Sequence, residues 1–200
     1  MPTKAYQRFL DSMMIGFDKW HDGTGYDLKA LARLGLEERK ALEELLIKNL
    51  RQAGDWRDVE ALVALGTSAA REAVDKARFH RNSEVRHYAL KIVLHNLNSK
   101  NMTETEMREL EEQVVQAVEH GDYAIAENMP TMRVKKALLE SARRADSENR
   151  VHAEAFLLYL CGLAPEPFDW TRRPFFLLFA DDNPKVLQQA WEELRRRTGF

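Results

Sequence analysis

The chain has 200 residues, with 30 Lys and Arg against 32 Asp and Glu, a formal net charge of −2 at pH 7 and 44% hydrophobic content. Nearly cancelling charges beside that apolar content exclude a disordered chain, and the length suffices for a single domain over residues 1–200 with a buried core. The longest uncharged apolar run, Ala155 to Ala164, is ten residues, about half of the roughly 20 that a membrane-spanning helix needs.

Leu (25) and Ala (23) far outnumber Val, Ile and Thr, which total 23, so the composition points to an all-α fold. The first helix is predicted from about Thr3 to Phe17, because Tyr6, Phe9, Leu10, Met13, Met14 and Phe17 recur at steps of three and four. Residues 18–26, with two glycines, read as a loop, which makes 1–26 an N-terminal helix and loop. Asp27 is placed to cap the next helix.

From there a repeat emerges. Asp27-Leu-Lys-Ala-Leu-Ala-Arg-Leu-Gly35 aligns with Asp58-Val-Glu-Ala-Leu-Val-Ala-Leu-Gly66 at a spacing of 31 residues. Each copy offers an Asp as cap, two leucines three apart on one face, and a Gly to end the helix. An amphipathic helix follows each copy, about Glu37 to Gln52 on Leu42, Leu45, Leu46 and Leu50, then about Ala69 to His80 on Ala70, Ala73, Val74 and Ala77. Further on, Asn82-Ser-Glu-Val85-Arg-His-Tyr-Ala89 is echoed by Asp146-Ser-Glu-Asn-Arg-Val151-His-Ala-Glu-Ala155. Between them an acidic helix is predicted from about Thr103 to Glu119 on Met107, Leu110, Val114 and Val118, and another from about Arg133 to Arg144 on Val134, Ala137, Leu138 and Ala142. Gly35, Gly54, Gly66, Gly121 and Gly162 each follow helical periodicity and read as helix ends.

Asn82, Val85, Arg86 and Ala89 resemble the helix entry of short bacterial HEAT-like repeats, in which an acidic residue or Asn is followed by Val-Arg and then a buried Ala. The resemblance covers 27–163. It implies a right-handed α-solenoid of helix pairs, in which no unit buries its apolar face alone and stacking supplies the core. Residues 164–200 depart from the repeat. They hold an aromatic, proline-interrupted stretch, Pro165 to Phe179, and a final helix from about Pro184 to Arg197, capped by Asp182 or Asn183, and read as an atypical C-terminal cap.

Catalytic chemistry leaves little trace. The histidines, His21, His80, His87, His95, His120 and His152, form no metal-binding spacing. Cys161 is alone, which excludes an internal disulfide and a multi-cysteine metal site, and its apolar surroundings suit a buried hydrophobe better than a nucleophile. No phosphate loop, dinucleotide fingerprint or Gly-x-Ser-x-Gly elbow occurs. Asp18, His21 and Asp22 offer a carboxylate beside an imidazole, but a charged turn explains them as well. Asp181 and Asp182 read as helix-start charges. The expectation is a protein that is not an enzyme and has no cofactor or metal. Charges at Lys4, Arg8 and Asp11, where a signal peptide would be apolar, add an expectation of cytoplasmic location.

Charge distribution is more informative than charge total. From Asn101 to Asn128 eight acidic residues face the single cation Arg108, a net −7, whereas Thr131 to Arg150 carries a net +3. The acidic section, with Glu104, Glu109, Glu112, Glu119 and Asp122 as candidate contact residues, suits another protein of basic character, whose approach such a field would speed. Immunity-type proteins that neutralise a cognate toxin are among the functions the HEAT-like resemblance implies, and an adaptor for another enzyme is the alternative. HEAT-like DNA glycosylases are a third. Trp56, Asp58, Arg78, Arg81 and Arg86 supply their residue types, although the small net charge argues against a nucleic-acid partner.

Overall fold

A computed structural model describes residues 2–17, 21–96, 103–181 and 183–200. Every regular element among them is helical, so the fold is all-α. The chain divides into two compact units, Met1–Val93 and Leu94–Phe200.

In the first unit, α1 (Lys4–Met13) starts where the Thr3 hydroxyl accepts the Tyr6 N–H, and it buries Phe9 completely. It stops short of the predicted Phe17. Met14 and Phe17 are 77% and 75% exposed, so the apolar periodicity runs past the buried part of this face, and Gly16 disfavours continuing the helix. The one-turn α2 (Leu28–Leu31) is capped by Asp27, which accepts from Ala30 N–H through one oxygen and from Arg8 Nε at 2.6 Å through the other. These bonds hold the Asp27 carboxyl below the ordinary range. α3 (Leu36–Gln52) turns Leu42, Leu46 and Leu50 inward. α4 (Trp56–Leu65) and α5 (Ser68–Ala77) pack in succession against it, and α6 (Ser83–His95) adds Val85 and Ala89 to the same core.

The repeat holds on its buried face and breaks at its caps. Ala30 and Ala61, Leu31 and Leu62, and Leu34 and Leu65 are buried pair by pair. Asp58, however, does not cap its helix as Asp27 does. Asp55 is the cap of α4, and Asp58 occupies the third helical position, where its carboxylate accepts the Asp55 N–H to close a capping box. The first copy has Gly25 and Tyr26 where the second has Trp56 and Arg57, and its helix begins one turn later. Gly66 takes the left-handed conformation (φ 70°) that ends α4, whereas Gly35, at φ −72°, starts α3 instead of ending α2.

In the second unit, Thr103 and Glu106 form the capping box of α7 (Glu104–Glu119), which buries Leu110, Val114 and Val118. Met107, predicted on that buried stripe, is 43% exposed. The helix is followed by a 3₁₀ turn at Tyr123–Asn128, then α8 (Met132–Arg144) and α9 (Ser147–Leu160), with α8 packed on both α7 and α9. The C-terminal stretch forms a 3₁₀ turn (Trp170–Arg172), α10 (Arg173–Phe176), another 3₁₀ turn (Leu177–Phe179) and α11 (Pro184–Thr198). Phe179, wholly buried, stands edge-on to Phe175 and Trp191, and its turn packs on α9 and α11. Asn183 caps α11, and Asp182 lies outside the described residues.

Candidate functional site

A helix repeating every 3.6 residues places Glu109, Glu112 and Glu119 within an arc of about 80° and about 15 Å along the axis. The arc lies opposite Leu110, Val114 and Val118, on the solvent side of α7. Glu104, in the first turn, sits at its margin, 3.9 Å from Arg108. Asp122 is half-buried beyond the helix end, where it precedes the 123–128 turn, and so leaves the helical face.

Most of the eight acidic side chains are used within the fold. Glu106 closes the capping box. Glu111 accepts from the Thr131 hydroxyl at 2.6 Å and lies 3.6 Å from Arg133, while Glu112 pairs with the same guanidinium. Glu127 accepts the Tyr159 hydroxyl at 2.7 Å, which pushes the Tyr159 pKa up. The acidic and basic sections of the sequence are therefore not electrically separate, because α7 and α8 are neighbours and Arg133 reaches across. Glu109 and Glu119 are exposed and make no ion pair among the described residues, so their charge faces water.

The first unit offers two other features. A groove of about 210 Å³ runs between α3 and α5, floored by Ile47, Leu50, Ala73 and Ala77 and edged by Arg51 and His80. Periodicity marks Ala73 and Ala77 as apolar, but only knowledge that α5 packs on α3 shows that such small side chains leave a depression there. At the start of α4, Arg57 is 2% exposed: its Nε donates to the Thr24 carbonyl at 2.6 Å, its Nη1 pairs with Asp55 at 3.0 Å, and its guanidinium lies 4.7 Å from the Trp56 ring centre. Asp58 beside it accepts the Tyr26 hydroxyl at 3.2 Å. Burial is the main cause that pushes the Asp58 carboxyl up to about 6 and the Tyr26 phenol above its ordinary range. This cluster ties loop 22–26 to α4. Its polar groups are enclosed and mutually satisfied, which suits holding the fold together.

The residues suggested for catalysis are dispersed or occupied. His21 and Asp22 are exposed, 3.5 Å apart, and Asp18 lies outside the described residues. Burial pushes the half-buried Cys161 thiol up, away from the thiolate. Among the described residues no group of three or more His, Cys, Asp or Glu side chains is placed to hold a metal ion. Of the glycosylase-type residues, Trp56 stacks at a tilt on Tyr88, Arg78 pairs with Asp75 at 2.9 Å, Arg81 donates to the Gln52 carbonyl, and Arg86 donates to the His80 carbonyl at 2.8 Å.

A buried carboxyl in the second unit escapes the sequence reading. Glu154 on α9 is fully buried, and neither oxygen has a hydrogen-bond partner. Desolvation raises its pKa well above the ordinary range, against the pull of Arg143 and Arg150. Its spacing from Leu157 and Leu158, three and four residues on, is the signal that places it on the inward face. Comparison with known proteins finds no match: no family model, no curated protein and no solved structure resembles the chain closely enough to assign it.

Proposed function

We propose that the chain is a non-enzymatic, cytoplasmic right-handed α-solenoid of HEAT-like helix pairs that binds a basic protein through the solvent face of α7, as an immunity-type protein that captures a cognate toxin. Glu109 and Glu119 are the central contacts, with Glu112 between them and Glu104 and Asp122 at the edges. The observation that carries the reading is the surplus of charge on this face. The fold uses Glu106, Glu111, Glu112 and Glu127 for its own bonds, yet keeps Glu109 and Glu119 in water, where they add nothing to the packing of α7. Such charges steer an oppositely charged partner and raise its association rate.

Affinity purification of the intact chain from its native cells, at low and high salt, with mass spectrometry of the retained proteins, tests the proposal. A basic protein released by salt, whose expression alone arrests growth and whose co-expression with this chain restores it, is the expected result. Retention of a metabolic enzyme would make the chain an adaptor. Retention of nothing at low salt would overturn the binding role.

A further inference from the structure

Residues 170–179 form a nearly continuous helical segment with two apolar faces. Arg172, Phe175, Phe176 and Phe179 follow the i, i+3, i+4, i+7 pattern of an inward stripe, and the three phenylalanines are at most 9% exposed. The opposite face carries Trp170, Arg173, Pro174, Leu177 and Leu178, where a surface helix would carry polar groups. Trp170 is 72% exposed, Leu177 52% and Leu178 38%. A helical segment apolar on both sides is normally covered on both sides.

The charge on this outer face says what kind of cover fits. Arg173 stands over the Trp170 ring, 5.2 Å from its centre, and has no carboxylate partner among the described residues. Nearby carboxylates are already engaged: Asp169 bonds Thr171 and lies 3.4 Å from Arg172, and Glu193 is shared by Arg196 and Arg197, which hold it down to about 2. A second copy of the same face, with Trp170, Arg173, Pro174, Leu177 and Leu178 and no acidic residue, would offer Arg173 no carboxylate, so the surface does not suit a symmetric dimer. Exposed Trp and Arg are among the side chains that most often dominate protein interfaces.

We propose that the outer face of residues 170–178 is a second docking surface, distinct from the acidic face of α7. Its partner is a protein segment that presents a carboxylate to Arg173 and apolar side chains to Trp170, Leu177 and Leu178.

Panning the full-length chain against a display library of peptides of about 15 residues tests this, with recovered peptides measured by fluorescence anisotropy. Recovered peptides are expected to carry Asp or Glu flanked by Leu, Ile or aromatic residues. They should lose about tenfold or more in affinity against Trp170→Ala and against Arg173→Glu, and bind Glu109→Lys as they bind the parent. Both Trp170 and Arg173 are exposed, so the variants should keep the parental melting temperature. Peptides without an acidic residue, equal binding to the variants, or no recovered peptide would overturn the proposal. So would Trp170-dependent binding of a dT oligonucleotide or of vesicles containing about one-third phosphatidylserine, which would reassign the surface to nucleic acid or lipid.

Discussion

Asp58→Asn replaces a buried, ionisable carboxyl by a neutral amide of the same shape, and its effect follows from the geometry at the start of α4. The carboxyl is 3% exposed and is pushed from 3.8 to about 6, chiefly by burial. The folded protein therefore holds this proton more tightly than the unfolded chain does. Between those two values the folded state binds more protons, so the contribution of Asp58 to stability falls as pH rises from about 4 to about 6 and stays low above that. The difference amounts to about 3 kcal/mol at 1.36 kcal/mol per pH unit. Asn can keep both local bonds, with its carbonyl accepting the Asp55 N–H and its amide donating to the Tyr26 oxygen. Urea unfolding followed by Trp fluorescence, at intervals from about pH 4 to about pH 7, should show the stability of Asp58→Asn relative to the parent rising by about 2.4 kcal/mol across that range. Parallel profiles for the two proteins would refute the assignment of a desolvated, titrating carboxyl to this position.

Leu62→Asp places a charge at a fully buried site of α4 and should cost about 3–5 kcal/mol, enough to unfold the first unit, so parent-like thermal melting would contradict the packing of the repeat. Glu154→Gln keeps the shape but cannot ionise. Because the folded pKa of Glu154 is raised, the parent loses stability as pH rises above the ordinary carboxyl range, and the variant should lack that loss in pH-dependent denaturation. Gly66→Ala forces a side chain into the left-handed conformation at φ 70° and should lower stability by about 1 kcal/mol in chemical denaturation.

Local signals in the sequence carry the helices well and their surroundings poorly. Thr103 and Glu106, three residues apart before an apolar stripe, locate the start of α7, and Leu42, Leu46 and Leu50 locate the inward face of α3, because capping and periodicity depend only on near neighbours. Asp58 fails for the opposite reason. Asp55 and Asp58 are both capping types, and what seats Asp58 inward is Tyr26, 32 residues away. Phe17 shows that periodicity marks a face without naming what covers it. The acidic section is visible as a run of charges, yet its division into used and unused carboxylates depends on Arg133 of α8 lying beside Glu111 and Glu112. In the sequence the outer face at Trp170 reads only as part of a cap, since a proline-interrupted aromatic stretch does not reveal which rings turn inward.

If the exposed charge of α7 recruits a basic protein, reversing that charge should slow the capture. The most direct measurement compares the retained partner's affinity for the parent chain with its affinity for Glu109→Lys/Glu119→Lys, at about 50 mM and about 500 mM salt. The double variant is expected to lose about tenfold or more in affinity at low salt, mostly through a slower association rate, and high salt should erase the difference. Equal binding of the parent and the charge-reversed protein at low salt would contradict it.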